Sequence, residues 1–482
     1  MNFLLAGLLM LGSKNIYVAV NGNNNNDGFT EQTPKATVAA GIAMMSDHST
    51  DRLLLHRGDT WHESLGQWKL SGVGEDMPMI VETYGDSTER PNLITGSNAG
   101  IFTMGGGNAP PYINHVIFRG IRFTGDNNTA NGVNFIRSCR DVMLDDCYFE
   151  HYFNGIIING FDGKHSDIYV RNCIVVDSYA TNGNCQGLYA SQTDGLVIDN
   201  CLFDHNGWGP GATPNIFRHN IYIADDNTNV IVRNCLISNG GSHGLQMRSG
   251  GIVDGNIFSR NAISLHCGGG LSPVPGGVTI QVTNNIIVDG KNIDDTNKRG
   301  WGMTFTNIRQ GLVKGNYIAN NTMGGMPFGI EIDNRSLPLT NITFSNNLFY
   351  KWGGTDLSLQ GHDFQDIVFD HNTFFDSNYL IVGVDVTSPV FTSNTFFSSA
   401  ARPFMVSQAL TFAEWVAVAN NTGTVYQAKE YVDPKRTLFT YGFKLLRTTN
   451  YDTIMQAFRD NYGHGNYTLI KVKRYIINGF QQ

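Results

Sequence analysis

The sequence predicts an all-β protein whose chain winds into a single-stranded parallel β-helix of about 13 coils, with a short N-terminal cap and a partly helical C-terminal cap. Three observations support this class: one strand motif recurs along most of the chain, Gly and Asn are abundant, and only 15% of the residues are charged. Short strands joined by tight turns are typical of such a composition. Repeat folds run long as one unit, so 482 residues do not imply several domains.

The chain opens with an apolar run, MNFLLAGLLMLGS, which has the length of a secretion signal but no basic residue before Lys14. This run is either a signal with an unusual start or an apolar cap on the first coil, and we assign residues 1–15 to it. No later segment reaches about 18 apolar residues, so the sequence predicts no membrane span.

The recurring motif predicts one strand per coil from about residue 112 onward, in copies such as DVMLDDCYF, DIYVRNCIV and ITFSNNLF. One inward position is shared by all copies, and its occupants are Ile121, Cys147, Cys173, Cys201, Cys235, Asn256, Asn285, Asn316, Asn347, Asn372 and Asn394. Stacked coils lie about 4.8 Å apart, so this row predicts packed Cys followed by hydrogen-bonded Asn. Seven Cys exclude a complete disulfide framework, and the missing Cys-x-x-Cys spacing argues against a metal site.

The tail has a different character from the coils. We predict the β-helix over residues 16–400 and a C-terminal cap with helices over residues 401–482. The segment YTLIKVKRYIINGF has helical spacing, with Leu469, Val472 and Ile476 on one face. An open β-helix end exposes unpaired strand edges, which the tail is expected to cover.

A second strand type, with copies HNIYIA, HGLQMR and NAISLH, carries the chemistry. Its third and fifth positions are apolar and point inward, while its first, fourth and sixth point outward; in NAISLH the first is Asn261. Three adjacent coils then form a patch about 10 Å tall. The patch holds His219, Tyr222, His243, Gln246, Arg248 and His266. A solvated strand face normally carries Thr, Ser, Asn and Lys, so this set predicts a functional site; surface ladders without function are the alternative.

Three segments resemble known proteins. The opening IYVAVNGNNNNDGFTEQTPK and the coil LLLHRGDTWHE resemble the N-terminal entry of pectate-lyase-like β-helix proteins, and DPKRTL in the tail resembles a segment frequent on bacterial β-helix proteins. The resemblance implies a right-handed helix, and polysaccharide lyases and uronan epimerases of this fold use His/Tyr/Arg sets or Ca²⁺. The DPHE run of alginate epimerases does not occur here, which leaves the subclass open.

β-Elimination of a uronic-acid polymer fits the patch. The substrate carboxylate must be neutralised, the C5 proton removed and the leaving oxygen protonated. Arg248, Gln246 and a His suit the first task, His219 or His243 the second, and Tyr222 either proton transfer. We predict four catalytic residues: His219, Tyr222, His243 and Arg248. The predicted substrate-binding residues are Tyr189, Gln246, His266, Trp208, Trp301, Glu331 and Asp333, with Trp208 as a flat face for a sugar or as ordinary loop packing.

Hydrolysis is the first alternative, since it needs two carboxylates. Glu331 and Asp333 point outward on one strand, about 7 Å apart by strand rise, but four coils and about 19 Å from Tyr222. Asp225 and Asp226 lie nearer and keep a hydrolase or a Ca²⁺ site open; no cofactor is otherwise required. A non-catalytic glycan-binding or tailspike-like β-helix is the second alternative.

The net charge and the expected substrate limit which partners the protein can have. The net charge of -8 argues against nucleic acid and predicts no attraction to anionic membranes. We expect a polysaccharide substrate, a monomer or trimer, and a secreted or periplasmic location, or a virion surface if the protein is phage-encoded.

Overall fold

The computed structural model describes residues 13–104, 113–126, 130–136, 138–160, 163–269, 274–321 and 327–482. Its strands form three long sheets, and each coil passes through sheet 1, sheet 2 and sheet 3 in that order. This confirms the parallel β-helix. Residues 1–12 of the predicted leader lie outside the described residues. No helix in the described ranges is both long and apolar enough to cross a membrane.

The described strands of sheet 1 are Asn15–Val18, Arg52–His56, Met79–Tyr84, Ile113–Arg119, Cys139–Asp145, His165–Arg171, Thr193–Asp199, Ile231–Arg233, Gly251–Asp254, Val278–Thr283, Ile308–Lys314, Thr340–Ser345, Gln365–Asp370, Val390–Thr392 and Asn421–Thr422. Those of sheet 2 are Thr60–Trp61, Asn92–Gly96, Arg122–Gly125, Tyr148–Glu150, Ile174–Val176, Leu202–Asp204, Leu236–Ser238, Ile257–Ser259, Ile286–Val288, Tyr317–Ala319, Leu348–Tyr350, Thr373–Phe375, Thr395–Phe397 and Val425–Tyr426. Those of sheet 3 are Gly66–Gln67, Ile101–Met104, Asn131–Ile136, Asn154–Asn159, Gln186–Ser191, His219–Ile223, His243–Met247, Ile263–Cys267, Trp301–Phe305, Phe328–Asp333, Thr355–Gln360, Tyr379–Gly383, Phe404–Met405 and the antiparallel Ala409–Leu410.

The recurring motif is two strands rather than the single strand that its sequence predicts. DVMLDDCYF, for example, contains most of the strand Cys139–Asp145 of sheet 1 and of the strand Tyr148–Glu150 of sheet 2. Asp146 lies between them with φ of 55°, in the left-handed region that Asp and Asn tolerate. The chain therefore turns a corner in the middle of the motif.

The shared inward position confirms the predicted ladder at this corner. Asn316 donates its side-chain amide to Val282 O at 3.0 Å and to Asn347 Oδ1 at 2.9 Å, while its backbone N–H donates to Asn347 Oδ1 at 3.0 Å. The same pattern satisfies the buried polar groups of successive Asn side chains. Cys147 and the next three Cys of the row are fully buried free thiols, as packing rather than cross-linking requires.

Only part of the tail covers the end of the β-helix, where the sequence predicted that the tail would lie. Its first helix, Phe412–Val418, places Trp415 against Phe391, Phe396 and Phe404 in the last coils, so this helix does cover the end. Strands beyond residue 400 also pair with the stack.

The three later helices cover the side of the β-helix instead. They are Leu438–Leu446, Tyr451–Asn461 and Leu469–Gly479, and they pack on the outer face of sheet 2. That face carries apolar residues such as Ile174, Leu202 and Leu236, which need burial. A short helix, Val38–Ile42, packs near the N-terminal end.

A buried hydroxyl fastens the second of these helices to sheet 2. Tyr451 Oη lies 2.7 Å from Ser238 Oγ and donates to Ser259 Oγ at 3.1 Å. Tyr451→Phe is expected to lower the free energy of unfolding by about 1–2 kcal/mol, because two buried serines lose a partner. Urea denaturation followed by circular dichroism measures this. Tyr475→Phe is the control, since its hydroxyl makes only a 3.4 Å contact with Thr440 inside the tail; an equal loss in both variants would contradict the anchoring role.

Candidate active site

The candidate site lies on the outer face of sheet 3, on the three consecutive strands that begin at His219, His243 and Ile263. Alternate residues of these strands, including Ile221 and Leu245, are fully buried in the interior. The side chains between them therefore face outward. One outward column runs along the stack through Tyr189, Tyr222, Gln246 and His266.

His266 occupies a different place from the predicted one. The sequence alignment put it beside Arg248, with Asn261 next to His243, whereas the register pairs His266 with Gln246 and Ile263 with His243. Asn261 is fully buried at the corner before the strand, where its amide donates to Ile237 O at 2.9 Å. The prediction for NAISLH was therefore shifted by two residues, because a buried amide occupied what looked like an outward position.

His219 is held as a neutral imidazole with an unshared lone pair on Nε2. Gln186 Nε2 donates to Phe217 O at 3.0 Å, which fixes the amide orientation. Gln186 Oε1 accepts from the His219 backbone N–H at 2.9 Å and lies 2.6 Å from Nδ1, so Nδ1 carries the proton. Burial lowers the pKa of His219 to about 3. Nε2 is buried and has no hydrogen-bond partner within the described part of the chain.

Tyr222 and Arg248 converge beside this imidazole. Arg248 Nη1 donates to Tyr222 Oη at 2.7 Å, and Arg248 Nη2 lies 3.4 Å from Asp225 Oδ2. The ring centroids of Tyr222 and His219 are 5.3 Å apart. Because the phenol oxygen accepts from the guanidinium, its own O–H remains to donate to a ligand, and negative charge on that oxygen is stabilised.

His243 and His266 add two more buried imidazoles. The ring centroid of His243 lies 4.6 Å from that of His219, and burial lowers the pKa of His243 well below its usual value. His266 Nδ1 lies 2.5 Å from Thr304 Oγ1, and burial lowers the pKa of His266 to about 4. At neutral pH these rings offer hydrogen bonds but no charge, so a ligand carboxylate here would find its cation in Arg248.

The remaining predicted residues near the patch divide into two groups. Tyr189 belongs to it, with its ring centroid 5.4 Å from that of Tyr222. Trp208 instead donates to Asn239 O at 2.8 Å and has Lys291 Nζ 4.8 Å from its ring, at the end of a sheet 2 strand. These contacts favour the loop-packing alternative for Trp208.

The two aspartates considered for Ca²⁺ are both engaged. Asp225 faces Arg248, and Asp226 accepts from Ser191 Oγ at 2.8 Å and from the Gln192 backbone N–H at 3.0 Å. The described residues contain no group of three or more His, Cys, Asp or Glu that could hold a metal ion. Ca²⁺ takes six to eight oxygen ligands, so two engaged carboxylates make a poor start for such a site.

Glu331 and Asp333 lie on the same face, four coils from Tyr222 as predicted. Burial, with the charge of Asp333 second, raises the pKa of Glu331 to about 7. Burial acts the same way on Asp333, but hydrogen bonds from Arg335 outweigh it and lower the pKa of Asp333. The two carboxyls are thus driven apart in acidity, as in acid–base pairs. They remain about 19 Å from Tyr222 by coil spacing.

Comparison with known proteins identifies the repeat. A family model described as "right handed beta helix region" matches residues 99–285 and again 215–355, which together span more than half of the chain. A search of curated protein sequences gave no significant match.

Solved structures share the fold at low identity. The complex of XylC with xylose is 9% identical over 87% of this chain and 87% of that one, with a TM-score of 0.50. The pectate lyase Pel9A is 16% identical over 70% and 78% of the two chains, with a TM-score of 0.44. The A-module of the mannuronan C-5 epimerase AlgE4 from Azotobacter vinelandii is 11% identical over 78% and 91%, with a TM-score of 0.40.

Proposed function

This chain belongs to the right-handed β-helix family, and we propose that it is an enzyme that removes the C5 proton of a uronic-acid residue in a glycan lying along sheet 3. One observation carries the proposal: Arg248 donates to Tyr222 Oη at 2.7 Å, beside a neutral His219 whose Nε2 has no partner in the described part of the chain. A cation, a proton donor and a base within two coils are the groups that β-elimination requires.

The residues divide the reaction between them. Arg248, which directly follows the strand that carries Gln246, neutralises the uronate carboxylate together with Gln246 and so stabilises the negative charge that develops when C5 loses its proton. His219 Nε2 takes that proton, for which the glycan must displace the side chains that bury this nitrogen. The C4–O bond then breaks, Tyr222 Oη gives its proton to the leaving oxygen, and a C4–C5 double bond remains. In C5 epimerisation the same carbanion would instead be reprotonated from the opposite face, with no bond to the next sugar broken.

Hydrolysis at Glu331 and Asp333 is the second candidate, favoured by their separated acidities. A carboxyl whose pKa is about 7 suits a general acid near neutrality, and its partner would act as the base on water. The carboxyls sit about 7 Å apart by strand rise, within the range of inverting enzymes. We rank this second because Arg335 is already bonded to Asp333 and takes up its charge.

Product chemistry separates these reactions. The protein is incubated with a panel of acidic and neutral polysaccharides; elimination gives an unsaturated uronate that absorbs in the ultraviolet, whereas hydrolysis gives a new reducing end without it. Epimerisation gives neither and is detected as a changed proton spectrum of the polymer. We also propose that the enzyme acts outside the cytoplasm, as the expected secreted or periplasmic location implies.

Tyr222→Phe is expected to lower the rate of elimination at least about tenfold, because the leaving oxygen loses its proton donor. Tyr169→Phe, on the outer side of sheet 1, is the matched control and should leave the rate unchanged. Activity that survives Tyr222→Phe but is lost in Glu331→Gln would overturn the lyase proposal in favour of hydrolysis.

A further inference from the structure

A column of aromatic side chains continues the outer face of sheet 3 beyond the histidines. Trp301 pairs with Ile263, and Phe328, Thr355 and Tyr379 occupy the same position on the next coils. The rings of Trp301 and Phe328 stack with centroids 4.7 Å apart, close to the coil spacing of about 4.8 Å. Their faces therefore point along the helix axis, and Phe328 turns its second face toward Thr355.

Thr355 interrupts this column and leaves a slot. Phe328 and Tyr379 lie two coils apart, about 9.6 Å by coil spacing, and the short Thr355 side chain between them is buried. The slot, lined by Phe328, Thr355 and Tyr379 with residues beside them, has a volume of about 290 Å³. This volume is at the lower end for small-molecule sites, which suits one sugar ring rather than a long ligand.

Polar groups line the side of the slot that faces the next outward column. Gln360 Nε2 donates to Ser358 Oγ at 2.8 Å, and Ser358 Oγ lies 3.4 Å from Glu331 Oε2. The Phe328 ring on one side and the Tyr379 side chain on the other, with hydroxyl, amide and carboxyl groups beside them, match a sugar, whose ring has apolar faces and a polar edge.

The charge of the slot excludes a uronate. Its lining residues include no Lys, Arg or His. A carboxylate placed here would be taken out of water beside Glu331 with no cation among the lining residues, which is unfavourable. Arg299 lies over the far face of the stack, with its guanidinium carbon 4.7 Å from the Trp301 ring centroid, and is not among the lining residues.

We propose that this slot binds one uncharged sugar ring of the same glycan whose uronate binds at Arg248, so that the substrate is a heteropolymer of acidic and neutral residues. The inference rests on the proposed function only for the uronate that binds at Arg248. Glu331 lies about 19 Å from Tyr222 by coil spacing, so several sugar residues separate the two positions along the axis.

Filling the slot tests the proposal. Titration calorimetry measures binding of neutral hexasaccharides of glucose, xylose, mannose and galactose, and of hexagalacturonate, to the full chain. Thr355→Phe is expected to weaken binding of the preferred neutral hexasaccharide at least about tenfold, because the new ring takes the place of the sugar. The fold already stacks such rings, as Phe344, Phe369 and Phe391 do at 4.9 and 5.0 Å. Thr343→Phe, the same exchange on the outer face of sheet 1, is the matched control and should bind as the wild type does.

Tyr379→Ala provides a second variant, since it removes one wall without filling the slot, and the same loss of neutral-sugar binding is expected. Unchanged binding in both variants, or a wild-type protein that binds hexagalacturonate but none of the neutral probes, would overturn the inference. The proposed function fails separately: a wild-type protein that gives neither unsaturated product nor a changed proton spectrum with any acidic glycan refutes the removal of the C5 proton, while neutral-sugar binding still decides the slot.

Discussion

Replacing His219 by glutamine is expected to lower kcat for the elimination by about 10²–10⁴-fold, the usual contribution of a positioned base. Glutamine can keep a hydrogen bond to Gln186 and fills similar space, but it has no nitrogen lone pair to accept the C5 proton. KM should change little, because the carboxylate contacts from Arg248 remain. Initial rates of ultraviolet absorbance on the preferred acidic glycan measure the loss. Full activity in this variant would move the base to another group, His243 being the nearest imidazole.

The pH profile tests how Gln186 positions that base. Nδ1 of His219 donates to the neutral amide oxygen of Gln186, and burial keeps the pKa of His219 near 3, so the base stays unprotonated above that pH. Gln186→Glu places a carboxylate at Nδ1 and raises the pKa of His219. Since only the neutral ring accepts a proton, the acidic limb of kcat/KM should move to higher pH. A merely structural role for Gln186 would lower the rate without moving the limb.

Period-two alternation was enough to predict the ladders and the Tyr222–Arg248 neighbourhood, although it missed the corner that divides the recurring motif into two strands. It could not fix the register of the strand at Ile263, because a shift of two residues keeps every side chain on its face. Asn261 was taken as outward since it is polar, although an Asn whose amide bonds to a carbonyl such as Ile237 O can be fully buried.

The tail shows a different limit. Its apolar helix face was identified correctly, and Leu469, Val472 and Ile476 are all buried. Which surface this face covers depends on the path of the tail after the last coil, and helical periodicity gives no information about that path. A signal was present in sheet 2, whose strands Ile174–Val176 and Ile286–Val288 are apolar on both faces and so need a cover outside. The slot at Thr355 was missed because it depends on a small residue between two rings on different coils.

Of the charged side chains that the structure describes, Arg459 should be the one whose replacement lowers the free energy of unfolding most. It lies on the helix that packs against sheet 2, where its Nη1 is 2.7 Å from Asp177 Oδ2 and its Nε donates to Asp204 Oδ2 at 2.8 Å. Asp204 is 1% exposed and Arg459 only 11%. Arg459→Met keeps the length of the side chain but leaves the buried carboxylate of Asp204 and the partly buried carboxylate of Asp177 without their cation. We expect the free energy of unfolding to fall by about 3–5 kcal/mol, as for other broken buried pairs.

An exposed pair gives the matched control. Arg233 bonds Asp199 at 2.9 Å with 46% of its side chain exposed, so Arg233→Met should cost no more than about 1 kcal/mol. Urea denaturation of both variants measures the difference, and limited proteolysis shows whether the tail detaches before the coils unfold. Equal stabilities would mean that the Arg459 cluster contributes no more than a surface ion pair.

Acid should narrow the gap between wild type and Arg459→Met, and the sign follows from Asp177. Burial raises the pKa of this carboxyl, but the hydrogen bond from His205 and the charge of Arg459 outweigh it, so its folded-state pKa is lowered. A lowered pKa contributes stability above the unfolded value of about 3.9 that is lost as pH falls through the folded one. In Arg459→Met the ionised Asp177 contributes less to the free energy of unfolding at neutral pH, so protonating Asp177 removes less stability. The difference in unfolding free energy should therefore be largest near pH 7 and smaller at about pH 3, and a constant difference across that range would place the effect of Arg459 in packing rather than charge.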